Sequence, residues 1–150
     1  MKMTLKLQSF GLGDKFNIEK FIPIKNRDNK PFGGLWASPV NSKWGWVDWC
    51  KSENWGDLNS VFEFEFTGEV FVINSFKDAQ KMPWIKDSTK WKGEFIDFEA
   101  MVKNGIDAIL LKEKGESETR FINNEYSLYG WDCECVLIMN PKGVKNGQES

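Results

Sequence analysis

The chain contains no histidine at all. Ser-His-Asp and Cys-His nucleophile systems and histidine-ligated zinc enzymes each need an imidazole, as a base titrating near neutrality or as a ligand, so all of them are excluded. Any chemistry must rest on carboxylates, hydroxyls, lysines or thiols. Arginine is nearly as scarce. Of 20 basic side chains only Arg27 and Arg120 carry a guanidinium, and the lysines are interspersed among acids to give a net charge of −2. With no basic stripe, duplex nucleic acid is not an expected partner. The cysteines are Cys50, Cys133 and Cys135, an odd count that implies no disulfide framework. No apolar run approaches the roughly eighteen residues of a membrane span. Residues 1–7 alternate lysine with apolar side chains instead of forming the continuous apolar stretch of a secretion signal. A cytoplasmic protein with no membrane partner is therefore expected.

What the chain has in excess is aromatic carbon: eight Trp and twelve Phe against two Tyr. That is more indole than one core of this size requires, so part of it is expected to line a cleft. At 150 residues the chain fits a single domain, 1–150, able to bury roughly 70% of its unfolded surface. It has no internal repeat, linker or low-complexity block. Residues 141–150 read as a polar, frayed tail.

Hydrophobic periodicity predicts a first strand over 3–8, ending at Gly11 and Gly13. An irregular excursion follows over 14–32, with Pro23, Pro31 and one helical turn near Ile18. A second strand is expected over 35–37, between Gly33-Gly34 and Ser38-Pro39. Asn41 or Ser42 can cap a helix that carries Trp46, Trp49 and Cys50 on one face. The clearest strand signal runs over 60–73, where Phe62, Phe64 and Phe66 alternate with Glu63 and Glu65; an interruption is expected at Thr67-Gly68. Short helices are predicted over 75–81 and over 97–103, the second capped by Asp97 and stopped by Asn104-Gly105. Residues 106–111 form a near-continuous apolar strand, hence a central one. Residues 113–124 read as polar and turn-rich, and 131–139 as a last strand. Strands at both ends with short helices between them predict a mixed α+β layout.

Gly11-Leu12-Gly13 is not a dinucleotide loop of Rossmann type, because Phe16 occupies the third glycine position and no βαβ unit follows. Asp132 and Glu134 are two residues apart on the predicted last strand, so their carboxylates would project from one face, with Cys133 and Cys135 packed on the other. Two acids on one face can hold a developing positive charge.

Four ordered segments carry a resemblance. They are Gly33-Gly34-Leu35-Trp36-Ala37-Ser38-Pro39, Trp46-Val47-Asp48-Trp49, Gly105-Ile106-Asp107-Ala108-Ile109, and Asp132-Cys133-Glu134-Cys135-Val136-Leu137-Ile138-Met139-Asn140-Pro141. Together, over residues 3–144, they resemble small bacterial and phage mono-ADP-ribosyltransferase domains. The resemblance implies a split mixed β-sheet with short flanking helices, NAD as substrate, no metal, and a protein or other macromolecule as ADP-ribose acceptor. In that family a first strand carries an Arg or His that grips the NAD ribose, a second an aromatic or Ser element against nicotinamide, and a late strand a Glu. By position these slots fall on Ser9, on Trp36 with Ser38, and on Glu134. Gly34 and Trp46 complete the implied NAD-binding set, and Asp132 would orient the incoming nucleophile.

The chemistry agrees with those residue types. Breaking the nicotinamide-ribose bond leaves an oxocarbenium-like centre that a fixed carboxylate stabilises, and an aromatic face holds the cationic pyridine ring. The departure is Ser9, where the family has Arg or His; either Lys6, Arg27 or backbone donors take over the grip, or catalysis is weak or lost. The implied activity is NAD-dependent ADP-ribosylation, suited to a phage or mobile-element effector acting on a host factor, with NAD hydrolysis as a close variant. Two other expectations stand beside it: a non-catalytic protein that blocks a partner by binding, and a Trp-rich carbohydrate-binding module, since indole faces stack on sugars.

Overall fold

A computed structural model of the chain describes residues 1–9, 17–28, 30–42, 45, 62–86, 94–119, 128, 131 and 133–146. In chain order these form β1 (Lys2–Ser9), a 3-10 turn at Ile18–Lys20, β2 (Leu35–Pro39), β3 (Phe62–Ile73), α1 (Phe76–Gln80), β4 (Trp84–Lys86), β5 (Glu94–Ile96), α2 (Phe98–Lys103), β6 (Ala108–Leu111), α3 (Glu113–Thr119), β7 (Cys135–Ile138), a 3-10 turn at Pro141–Gly143, and β8 (Val144–Asn146). The mixed α+β layout read from the sequence is present, with strands predominating. The expected helix bearing Trp46, Trp49 and Cys50 falls outside the described residues.

A strand with phenylalanine at every second position must bury one face. In β3, Phe62, Phe64 and Phe66 are buried and Glu63 is exposed. β3 serves two sets of partners along its length. Its first eight residues pair antiparallel with β1, from Ser9↔Phe62 to Lys2↔Glu69. Its last four pair parallel with β6, from Val70↔Ala108 to Ile73↔Leu111. The sheet continues antiparallel from β6 to β7 and from β7 to β2, and returns to β1 through Leu7↔Pro39 and Gln8↔Ser38. Five strands thus close into a barrel-like ring, with β8 added outside it along β3. β4 and β5 form a separate two-stranded ribbon.

Alternation along each strand produces two cores. Leu7, Leu35, Ala37, Phe64, Phe66, Val70, Ala108, Leu110, Val136 and Ile138 share one cluster, the set that points into the ring. The intervening residues Ile73, Ile109, Leu111, Cys135 and Leu137 point outward and meet α1 and α2 through Ala79, Phe98 and Met101, together with Trp131 and Leu128. Ser75 and Asp97 cap α1 and α2 by accepting hydrogen bonds from Asp78 N and Ala100 N, the second as its sequence position predicts.

Four expectations need correction. Thr67-Gly68 does not interrupt β3; Gly68 is there because a Cβ would lie 2.8 Å from Asp107 Oδ2 and 2.8 Å from the Phe66 ring. Residues 113–119 are helical, not turn-rich, although α3 includes a glycine. The last strand spans only Cys135–Ile138, so Trp131, Cys133 and Glu134 precede the ladder. The tail is not frayed as far as Asn146, because β8 pairs with Phe64–Phe66, a register such as Phe66↔Val144 that no local pattern announces.

Gly115 is the residue on which α3 depends. A Cβ there would strike the Ile73 carbonyl oxygen and approach Leu111 Cδ1 to 3.2 Å. In an unconstrained helix, Gly→Ala gains up to about 1 kcal/mol. Overpacking here should outweigh that gain, and Gly115→Ala is expected to destabilise the fold by about 1–3 kcal/mol, read from the urea midpoint. A stabilised variant would contradict this packing.

Candidate active site

Gly34 opens β2 in a conformation suited to glycine, with φ of +80°. Its N–H donates to Ile22 O at 2.8 Å. An added Cβ would lie 2.7 Å from Leu137 Cδ1 and 2.9 Å from Ile24 Cδ1, so the strand can lie this close to β7 only without a side chain. Trp36 then points outward opposite Leu137 and is half-buried. Its ring meets the buried Trp131 edge-on, with centroids 4.9 Å apart and planes at 77°. Trp131 is itself stacked on Phe98 at 6.5 Å and 12°. Lys30 Nζ lies 5.6 Å from the centroid of Trp36, within reach of cation-π attraction.

Two buried hydroxyls tie β2 to its neighbours. Ser9 is 3% exposed and donates through Oγ to Trp36 O at 2.7 Å, tying the end of β1 to β2. Its only proton is therefore committed to backbone, and the side chain does not present itself to a ligand. Ser38 is fully buried and donates to Glu134 O at 2.9 Å. Gly45 abuts it, since a Cβ there would lie 2.9 Å from Ser38 Cβ.

Glu134 sits in the bend immediately before β7. The flanking Cys133 and Cys135 are both free thiols buried in the outer core, as expected of packing groups, and they hold the bend down on either side. The carboxyl itself is half-buried. Burial raises its pKa above the ordinary value of 4.5; Lys112 counteracts this and Glu113 adds to it. Lys112 comes this close because Leu111↔Cys135 is the last ladder pair of β6 and β7, which places residue 112 opposite residue 134.

The chain thus brings Ser9, Trp36, Ser38 and Glu134 into one linked patch around the end of β2. Gly34 lies at the opposite end of that strand. Asp132 and Trp46, the other two predicted site residues, lie outside the described residues, so the expected pairing of Asp132 with Glu134 on one strand face reduces to Glu134 in a bend. Lys30, Trp131 and Lys112 were not anticipated from sequence. Only Lys112 had a usable signal, its place directly after an apolar strand that pairs with the Glu134 segment. Among the described residues no three His, Cys, Asp or Glu side chains gather where they would hold a metal ion, and no helix among them is long and apolar enough to cross a membrane.

No protein-family model, curated protein or solved structure matches this chain.

The raised pKa of Glu134 has a definite sign in stability. A carboxyl that holds its proton more tightly folded than unfolded favours the native state fully below its unfolded pKa, and that contribution is lost as pH rises through the folded value. Glu134→Gln does not titrate. Its urea midpoint is expected to gain on that of the parent between about pH 4 and about pH 7. A difference that stays constant over that range would remove the desolvation argument.

Proposed function

We propose that the chain binds NAD along the Trp36, Ser38 and Glu134 patch and transfers ADP-ribose to a macromolecular acceptor, a protein. With this goes the assignment of its mixed sheet to the ADP-ribosyltransferase-like class. The observation that carries the reading is the half-buried carboxyl of Glu134, a residue whose main-chain carbonyl accepts from Ser38 on the strand whose next outward side chain is the indole of Trp36. A carboxylate short of water gains more from a cation forming beside it than an exposed one does. An oxocarbenium centre at the ribose is such a cation.

In the proposed step the bond between ribose C1 and the pyridine nitrogen breaks, and nicotinamide leaves with the electron pair. The carboxylate stabilises the resulting cationic carbon until a nucleophile of the acceptor attacks it and loses its proton. Water in place of the acceptor would make the same step an NAD hydrolysis. Trp36 offers its face to the nicotinamide ring while that ring is still cationic. Lys30 already rests its ammonium against this indole, so NAD binding entails exchanging one cation for another.

A second reading is favoured by Ser9. Its proton is held by the Trp36 carbonyl, and it cannot supply the positive charge that a first-strand Arg or His would bring to the ribose. The same patch would then bind a partner without turnover, blocking it stoichiometrically.

Nicotinamide release from NAD, measured with a protein extract as acceptor, separates the two readings. Turnover with label attached to protein is expected for the parent. Glu134→Gln should reduce the rate about 10²- to 10³-fold with NAD affinity little changed. Trp36→Leu, which keeps a bulky apolar group against Trp131, should weaken NAD binding about five- to tenfold. Absence of both NAD binding and nicotinamide release would refute the transferase, and partner inhibition that survives Glu134→Ala would establish the non-catalytic reading.

A further inference from the structure

Ile18, Ile22 and Phe32 are large apolar side chains left 60%, 64% and 53% exposed, and all three lie on one stretch of chain, residues 17–34. Single exposed apolar residues are ordinary, whereas clustered ones mark a contact surface. This stretch is fastened to the fold. Asn26 N donates to Glu99 Oε2 at 3.0 Å, Asn26 Nδ2 to Asp97 Oδ1 at 2.8 Å, and Glu99 N back to Asn26 Oδ1 at 3.2 Å. Lys25 and Phe32 exchange backbone hydrogen bonds at 3.1 and 2.9 Å, and Gly34 N closes the base on Ile22 O. The result is a ribbon pinned to the start of α2.

The ribbon opposes the rest of the molecule in charge. It carries Lys20, Lys25, Arg27 and Lys30 against Glu19 and Asp28, in a chain whose net charge is −2. Lys20 and Lys25 form no ion pair with a carboxylate among the described residues. Arg27 lies 4.6 Å above the ring of exposed Phe32. At the base of the ribbon is a cavity of about 140 Å³, lined by Asn17, Lys20, Phe21, Ile22, Gly34 and Leu35. An apolar cavity of roughly 150 Å³ accepts a benzene-sized group. The walls here are chiefly aliphatic and aromatic carbon, with Lys20 on the lining, so the socket suits one apolar side chain beside a negative charge. Lys25 lies three residues along the ribbon from Ile22, roughly 10 Å in extended chain, a span that a few peptide residues cover.

We propose that residues 17–34 dock an acidic peptide segment of another protein, with one large aliphatic or aromatic side chain in the socket and flanking Asp or Glu carboxylates on Lys20 and Lys25, Arg27 being already paired with Asp28 at 3.6 Å. A nucleic acid would need cations tracking a phosphate backbone and would leave a carbon-walled socket without a purpose. The ribbon adjoins the Trp36 to Glu134 patch through Lys30, which lies over the Trp36 ring, but the proposal does not rest on NAD chemistry.

Selection of displayed random peptides on the intact chain tests it. The recovered peptides should share an apolar residue flanked by Asp or Glu. Lys20→Glu and Phe32→Ser, both at exposed positions, should each lower affinity for a recovered peptide at least tenfold while far-UV circular dichroism stays unchanged. Raising salt from about 50 to about 500 mM should also weaken binding. Recovery of no peptide, recovery of peptides lacking acidic residues, affinities indifferent to both variants, or displacement of the peptide by an oligouridine would each overturn it.

Discussion

Asp107 stands where one long strand changes partners, and the ring could not close without that change. Its Oδ2 accepts from Glu69 N at 2.8 Å, its own N–H donates to Glu69 O at 2.8 Å, and its carbonyl accepts from Met139 N and Asn140 N at 2.8 and 3.0 Å. These contacts pin β3 at the point where its pairing with β1 ends and its pairing with β6 begins. Gly68 leaves room for the carboxylate, as no other residue could without displacement. A strand left unpaired at that junction would forgo these hydrogen bonds, each worth about 0.5–1.5 kcal/mol. The single residue instead ties the mid-strand junction of β3, the start of β6 and the end of β7 together.

Closure has a consequence for the aromatic residues. Strand side chains fill the interior of the ring, and Trp36 and Trp131 pack outside it. Phenylalanines of β3 occupy the interior, while Trp131, Phe98 and Trp36 stack in the outer core. Trp36 lies at the margin of that stack, half-buried, with Lys30 against its ring. Part of the indole excess noted in the composition thus resolves into packing, with Trp36 only half-buried at its margin. The two buried thiols around Glu134 serve the same arrangement, because their insertion into the outer core leaves the acid in a bend where it is neither fully solvated nor fully enclosed.

The elements with a local code were legible. Phenylalanine alternation identified β3, the apolar run identified β6 as central, and Asp97 announced its helix by capping. Of the candidate site residues, Ser38, on the strand that carries Trp36, donates through Oγ to the Glu134 carbonyl. Ser9 ties to that strand too, with its hydroxyl turned to the Trp36 backbone. The extent of the last strand was misread because Trp131 and Cys133 are as apolar as strand residues, although they pack in the core without pairing. α3 was missed because Gly115 argues against a helix in isolation, whereas contact with Ile73 requires a glycine there.

Residue order alone determined the strongly patterned strands β1, β3 and β6, the cap of α2, and, through the absence of histidine, which chemistries are closed to this chain. Those properties depend on neighbours within a few residues, where side-chain alternation and hydrogen-bond donors at helix ends decide the outcome. Tertiary structure alone decided that β1 meets both β2 and β3, that a polar tail becomes β8, and that Lys30 lies over Trp36. It also decided that Glu134 leaves the ladder one residue before pairing begins. Each of these unites segments far apart in the chain, and the free energy that selects them comes from closing a sheet and burying two cores together, which no short window of sequence contains.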